Sequence, residues 1–201
     1  MTTTRTPRIQ HLGAADVLEH ADALQRLYTA VFSAPPWNED EQDAARFRAR
    51  LAADALRPGF VAALAWDGSV LAGFATAWTT PPTLPSERSY PQVTAALGPE
   101  RTTAWLGGAR QVDELAVGPG HRGGGLGATL LAAIADGAPD GRCWLLTSLR
   151  ATSAVRFYQR LGWTQPIRPA PGDTGITVFL SPHHPARTAA DSLMDAATEG
   201  R

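Results

Sequence analysis

The spacing of apolar and polar residues divides the first part of the chain into short helices and strands. Apolar residues recur every three or four positions in two stretches, which predicts helices, and two later stretches are almost continuously apolar, which predicts strands. Pro35-Pro36 separates the two helices, and Asn38 followed by Glu41 is a capping pattern for the second one. The predicted elements are a strand at 8–12, a helix at 15–32, a helix after residue 38, and strands at 60–66 and 70–79 joined by Asp67-Gly68.

The second part of the chain alternates strands with helices. We predict strands at 112–117, 143–147 and 175–180, with a helix after each of the first two. Residues 81–110 form a long, proline-punctuated connection of the kind that builds a lid or pocket wall. The order βααββ followed by βαβαβ predicts an α+β fold with a mixed central sheet flanked by helices. We expect a single domain at 1–181 and a polar, flexible tail at 182–201.

The composition of the chain argues against several classes of function. A net charge of −1 supplies no basic footprint for nucleic acid. No apolar run reaches the roughly 18 residues of a membrane-spanning helix, and the N-terminal residues contain no apolar signal-peptide core. The single cysteine excludes an internal disulfide and fits a reducing compartment. We therefore expect a folded, cytoplasmic protein that contacts neither nucleic acid nor membrane.

A glycine-rich turn lies between the strand at 112–117 and the apolar helix that follows it. The turn reads Arg122-Gly123-Gly124-Gly125-Leu126-Gly127. Glycines let backbone N–H groups turn towards a ligand without a Cβ in the way, and the start of the helix adds unpaired N–H groups and a positive dipole end. Strand, turn and helix together predict a cradle for a diphosphate group.

Two familiar nucleotide sites fit this turn poorly. A P-loop requires Gly-Lys-Ser/Thr at the start of the helix, and the chain contains no lysine. The segment 118–123 matches the G-x-G-x-x-G pattern of dinucleotide-binding folds, but no acidic residue follows the strand at 143–147 to hold a ribose. The sequence therefore gives little support to a dinucleotide-dependent oxidoreductase.

Two blocks of sequence resemble the GNAT superfamily of N-acetyltransferases. In the block 112–136, Arg-x-x-Gly-x-Gly follows Glu-Leu-Ala-Val-x-Pro, which resembles the acetyl-CoA signature of that superfamily. In the block 143–163, Ala-x-x-Phe-Tyr-x-x-Leu-Gly-Trp resembles its second conserved element. The order of elements over about 60–180 is also that of the superfamily. One departure is Ala151, where relatives usually have an asparagine that helps to seat the cofactor.

The resemblance implies a protein that uses acetyl-CoA as cosubstrate and acetylates an amine by direct attack on the thioester. It implies that the strands at 112–117 and 143–147 splay apart and that the pantetheine arm pairs with the backbone of the first one. Dimerisation is common among such relatives. The implied cofactor-binding residues are Leu115, Ala116, Val117, Arg122, Gly123, Gly124, Gly125, Gly127, Ala128, Ala154 and Phe157.

Two residues are candidates for proton transfer. Tyr158 matches the helix tyrosine of the superfamily, and a phenol retains its proton at neutral pH and can donate it to a departing thiolate. Glu114 lies in the strand before the cradle, where a carboxylate can reach the acceptor amine directly or through water. Asp113 is the alternative base, and strand alternation places the two carboxylates on opposite faces.

The acceptor is expected to be a small molecule with an amine and an apolar part. Aromatic residues in the two segments that flank the acceptor site in relatives are candidates for contacting it: Trp37, Trp78, Tyr90 and Trp105. The adjacent pair His183-His184 lacks the ligand number of a metal site, and we expect no metal. The alternative to an enzyme is a non-catalytic CoA-binding or interaction module on the same fold.

Overall fold

The structure, a computed structural model, describes residues 6–167 and 175–190. The first part of the chain forms β1 (Arg8–Leu12), α1 (Ala14–Glu19), α2 (Ala21–Phe32), α3 (Glu41–Asp54), β2 (Val61–Asp67) and β3 (Val70–Thr79). The second part forms α4 (Tyr90–Leu97), α5 (Pro99–Arg101), a π-helical turn (Thr102–Leu106), β4 (Arg110–Val117), α6 (Leu126–Ala135), β5 (Cys143–Ser148), α7 (Thr152–Arg160) and β6 (Ile176–Leu180).

The six strands follow one another in chain order, β1-β2-β3-β4-β5-β6. Antiparallel pairing joins β1 to β2, β2 to β3 and β5 to β6, whereas β4 and β5 are parallel. A parallel pair requires a crossover connection, and α6 lies in it. The sheet is therefore mixed and flanked by helices, which confirms the predicted α+β class.

The chain separates into two compact units. Unit 1 comprises Met1–Trp78 and Asp113–Asp136, and unit 2 comprises Thr79–Val112 and Gly137–Arg201. The boundary falls inside β4, so the first residues of this strand belong to unit 2 and its last residues to unit 1.

Unit 1 is built around a cluster of aliphatic and aromatic side chains from α2, α3, β2 and β3. α6 packs on the sheet of this unit, and glycine is needed at Gly73 of β3 for that contact. A Cβ at this position would lie 2.8 Å from Cδ1 of Leu130 and 2.9 Å from the carbonyl oxygen of Ala116. The close approach of α6 fixes the helix start, and with it the glycine-rich turn, against the end of β4.

Unit 2 has its own core, in which α4, β5 and β6 meet. Two buried hydrogen bonds lie within this unit. The Trp144 indole donates to Oγ1 of Thr80 (2.8 Å), and the Tyr90 hydroxyl donates to Oε1 of Gln111 (2.7 Å). Such bonds satisfy the polar ends of large aromatic side chains that are otherwise buried.

Three local expectations differ from the structure. The helix expected at 15–32 is divided at His20, whose backbone leaves the helical region (φ −101°, ψ 10°). The cap of α3 is Asp40 rather than Asn38, which has a φ of +52°. The first half of the expected loose tail is packed, because His184 and Ala190 are buried within unit 2. Residues 172–173, expected to precede the last strand, and 191–201 lie outside the described residues.

Candidate active site

The glycine-rich turn leads directly into α6 and leaves the helix start open. Gly123 and Gly125 have φ values of +84° and +82°, a left-handed conformation that side chains oppose, and Gly125 is the N-cap of α6. No side chain caps this helix, and the first backbone bond into it is donated by Thr129 to the Gly125 carbonyl (3.1 Å). The N–H groups of residues 126–128 therefore have no partner within the helix. This arrangement fits a diphosphate, since these N–H groups and the helix dipole both favour negative charge.

Arg122 stands at the entrance of this turn with an exposed side chain. Its Nε donates to the carbonyl oxygen of Val117 (3.1 Å), which fixes the guanidinium plane at the end of β4. The turn is tied to the β2–β3 hairpin by His121, whose Nε2 lies 3.3 Å from Oδ2 of Asp67. Since Nε is only one of the donors of a guanidinium, further N–H groups of Arg122 are available for an anion.

The backbone of β4 continues beyond its pairing with β5. The parallel register consists of Arg110 with Cys143, Gln111 with Trp144 and Val112 with Leu145, and it ends there. β4 itself runs on to Val117, through Leu115 and the buried Ala116. A strand that runs on beyond the pairing with its neighbour is a template for an extended partner.

Glu114 is a half-buried residue of β4 whose carboxylate is bound by an arginine. The side chain of Glu114 is 16% exposed, and its Oε1 accepts a hydrogen bond from Nη2 of Arg50 in α3 (2.9 Å). Burial is the largest cause that raises the pKa of Glu114, the neighbouring charge of Asp113 also raises it, and Arg50 lowers it; the net pKa is about 8. The group is thus poised to exchange a proton near neutral pH, as a general base must.

Tyr28 of α2 lies under the same arginine. Its hydroxyl accepts a hydrogen bond from Nη2 of Arg50 (3.4 Å), and its ring stacks on Phe47 with centroids 4.1 Å apart. Burial, the charge of Glu114 and a hydrogen bond with Glu39 raise the pKa of Tyr28, so the phenol remains protonated. No local sequence signal distinguishes Arg50 or Tyr28, and neither was predicted as a site residue.

In unit 2, α7 carries the second motif. Tyr158 is buried, and its ring contacts those of Phe157, Trp163 and Phe179 at centroid distances of 5.3–6.2 Å. Ala154 and Phe157 are half-buried on the same helix. Ala151 is the N-cap of α7, is buried, and provides no side-chain hydrogen bond to the helix.

The four aromatic acceptor candidates occupy different surroundings. Trp78 and Tyr90 are completely buried: Arg57 lies over the Trp78 ring (4.9 Å to the centroid), and Tyr90 is bonded to Gln111. Both therefore serve the core of their units. Trp37 and Trp105 are half-buried and retain surface for a ligand.

Of the two tail histidines, His183 is exposed and His184 is explained by packing. Nε2 of His184 donates to the carbonyl of Trp105 (3.0 Å), and Nδ1 accepts from the N–H of Ala186 (3.1 Å). Burial lowers the pKa of His184. Within 6–167 and 175–190, no group of three His, Cys, Asp or Glu side chains is arranged to hold a metal ion.

Comparison with known proteins agrees with this arrangement. The sequence profile of the acetyltransferase (GNAT) family matches residues 21–163, which include the glycine-rich turn and α7. The chain belongs to the GNAT acetyltransferase family. A search of curated proteins finds no match. Across the described part of the chain, no helix of this GNAT protein is long and apolar enough to cross a membrane.

Solved GNAT structures share the fold at low sequence identity. An acetyltransferase from Thermus thermophilus is 19% identical with a TM-score of 0.56, and the match covers 88% of this chain and 96% of that one. The PaiA N-acetyltransferase from Thermoplasma acidophilum, solved in complex with coenzyme A, is 14% identical with a TM-score of 0.56 (87% and 98% covered). A GNAT acetyltransferase from Bacillus cereus is 11% identical with a TM-score of 0.56 (88% and 97% covered). These likenesses establish the fold.

Proposed function

We propose that this GNAT protein transfers the acetyl group of acetyl-CoA to the primary amine of a small molecule. The observation that carries the proposal is Glu114, a titratable carboxylate on the strand that leads directly into an open, glycine-rich helix start. Unit 1 thus contains both a cradle for the diphosphate of CoA and a base for an amine. The single, buried Cys143 fits a cytoplasmic location.

The cofactor is held, in this proposal, by backbone groups and one arginine. The turn from Gly123 to Gly127, together with the N–H of Ala128 at the start of α6, binds the diphosphate, and Arg122 contributes charge. The backbone of Leu115, Ala116 and Val117 pairs with the pantetheine arm as an added strand. Ala154 and Phe157 are assigned to the cofactor through their motif, because they belong to unit 2.

The chemistry requires one proton to leave and one to arrive. The neutral amine nitrogen attacks the thioester carbonyl carbon, and as the C–N bond forms Glu114 accepts a proton from this nitrogen, directly or through water. The C–S bond breaks, and Tyr158, which belongs to unit 2 and is assigned to this role through its motif alone, donates its phenolic proton to the thiolate, so that the products are an amide and free CoA thiol. Asp113 is the alternative base. Trp37 and Trp105 remain candidates for contacting an apolar part of the acceptor.

A non-catalytic CoA-binding module is the second candidate. Ala151 favours it, since this position at the start of α7 provides no side-chain hydrogen bond where relatives usually carry asparagine. Such a module would bind CoA and acetylate no amine.

Ligand-dependent thermal unfolding tests the cofactor assignment. We expect acetyl-CoA and CoA, at about 100 times their dissociation constants, to add about 2.7 kcal/mol of stability and raise Tm by roughly 5–10 °C. Arg122→Glu should abolish most of this rise, whereas Arg8→Glu, the same charge change at an exposed position of β1, should retain it. A rise with NADH or ATP instead would contradict the assignment.

An amine screen that follows CoA thiol release separates the enzyme from the binding module. Transfer that is lost in Glu114→Gln and slowed in Tyr158→Phe supports the two proton-transfer roles. Tight CoA binding without transfer to any amine supports the module.

A further inference from the structure

Arg50 makes three kinds of contact in unit 1. Its Nη2 donates to Oε1 of Glu114 (2.9 Å) and lies 3.4 Å from the hydroxyl oxygen of Tyr28. Its guanidinium carbon lies 5.9 Å from the centroids of both the Tyr28 and the Phe47 rings. One side chain therefore connects a buried aromatic pair to the proposed base.

The aromatic pair provides a rigid support for the guanidinium. Tyr28 and Phe47 are buried and stack almost in parallel, with an interplanar angle of 13°. Phe47 precedes Arg50 by one turn of α3, so both side chains project from the same face of the helix. Contact with the aromatic rings restricts the rotation of the planar guanidinium, so its N–H groups keep a fixed direction.

Glu114 has one positive neighbour and two negative ones. Arg50 approaches it from α3 and the neutral phenol of Tyr28 from α2. Two negative neighbours raise its pKa: Asp113, which precedes it in β4, and Glu39, in the segment between α2 and α3. The negative neighbours and burial hold the proton on Glu114, and Arg50 favours its release.

We propose that Arg50 is a positioning residue, which orients the Glu114 carboxylate and favours its ionised form for proton abstraction. The inference rests on the proposed function of Glu114 as the base. In the proposed reaction Arg50 contacts neither the amine nor the thioester, and it acts only through Glu114. It gives the enzyme a base whose orientation is set by α3 rather than by the strand that carries it.

Direct titration of Glu114 tests the proposed link to Arg50 without any need for activity. Carboxyl ¹³C NMR follows Glu114, whose signal is assigned by its loss in Glu114→Gln. We expect Arg50→Met to move the titration midpoint to higher pH by at least about one pH unit, since an opposite charge at this distance changes a pKa by about 1–3. Arg50→Lys, which keeps the charge, should move it much less. Arg46→Met is the matched control, because Arg46 lies on the same helix and bonds to Asp43 and Gln42.

Kinetics then separate positioning from charge. With the amine found in the screen, the rising limb of kcat/KM against pH should move to higher pH in Arg50→Met. For every pH unit by which the limb moves, kcat/KM at pH 7 should fall about tenfold, because the ionised fraction of the base falls by that factor. In Arg50→Lys the limb should stay in place while kcat falls and KM for the amine changes little, because only orientation is lost.

Each outcome has a separate meaning. An unchanged Glu114 midpoint and rising limb in Arg50→Met would overturn the role of Arg50 while leaving the proposed function intact. Absence of transfer in the unmodified protein would overturn the proposed function and with it the positioning role, even if the NMR midpoint moves. Arg50→Gln, uncharged and able to donate, replaces Arg50→Met if that variant does not fold.

Discussion

Glu114 couples the stability of the protein to pH. Burial and the charge of Asp113 raise its pKa from 4.5 to about 8 in the folded protein. Between these values the folded chain holds a proton that the unfolded chain has lost, so the contribution of Glu114 to stability is fully present below this range and falls as pH rises, by about 1.4 kcal/mol per pH unit. We expect Glu114→Gln to flatten the dependence of the unfolding free energy on pH between about 5 and 8, measured by urea denaturation.

The matched control for this prediction is Asp22→Asn. Asp22 is exposed and its hydrogen bond with Arg48 lowers its pKa, so it is ionised in both states over the same range. Its loss should leave the slope unchanged. A slope in Glu114→Gln equal to that of the unmodified protein would mean that Glu114 titrates as an ordinary glutamate.

The sequence identifies Glu114 but cannot identify its partner. A carboxylate in a strand that precedes a glycine-rich turn is a local pattern, and it suffices to select Glu114 and Asp113. Arg50 is one of three arginines at alternate positions of α3, and the others bond to Asp43 and Asp22. Only the packing of α3 against β4, across 64 positions of sequence, distinguishes Arg50 from its neighbours.

At the scale of elements, α3 carries both Phe47 and Arg50, which contact Tyr28 and Glu114 respectively. A capping box fixes the first turn of this helix. The Asp40 carboxylate accepts from the N–H groups of Gln42 (2.8 Å) and Asp43 (3.0 Å), and the Asp43 carboxylate accepts from the N–H of Asp40 (3.1 Å). We expect Asp40→Ala to cost about 1 kcal/mol, seen as a lower urea midpoint with an unchanged m-value.

Asn38→Gly is the control for the cap. The sequence pattern fits Asn38 with Glu41 as well as Asp40 with Asp43, and pattern alone cannot choose between them. The backbone decides, since Asp40 is extended (φ −98°, ψ −175°) as an N-cap must be, whereas Asn38 has a positive φ that glycine tolerates. If Asn38→Gly were the more destabilising substitution, the cap would lie where the sequence pattern first suggests.

For the whole molecule, the order of the strands and of the helices other than α4 and α5 is predictable, because each is short, strongly patterned and bounded by turn residues. α4 and α5 lie in the segment 81–110, where the prolines predict a connection. The break at His20 is not predictable, since the apolar spacing of α1 continues into α2 without interruption. The packed segment at 182–190 was also missed. Its burial depends on partners distant in sequence, such as Trp105, whose carbonyl accepts a hydrogen bond from His184, and a polar, alanine-rich composition does not reveal them.

The strand β4 belongs to both units, and this has a consequence for unfolding. Its first residues pair with β5 in unit 2, and its last residues carry Glu114 and lead to the glycine-rich turn in unit 1. If one unit unfolded alone, a continuous strand would have to be ordered in one part and disordered in the other. We therefore expect one cooperative transition, as for a single domain.

The six tryptophans allow this expectation to be tested by unfolding the unmodified sequence. Trp37, Trp66 and Trp78 lie in unit 1, and Trp105, Trp144 and Trp163 lie in unit 2. After incorporation of 5-fluorotryptophan, ¹⁹F NMR follows all six in a single urea titration at fixed pH without acetyl-CoA, with single Trp→Phe variants used only for assignment. Coincident midpoints for all six signals are the expected result. Two groups of three signals with separate midpoints would mean that the chain folds as two domains. The two parts of β4 would then unfold at different urea concentrations.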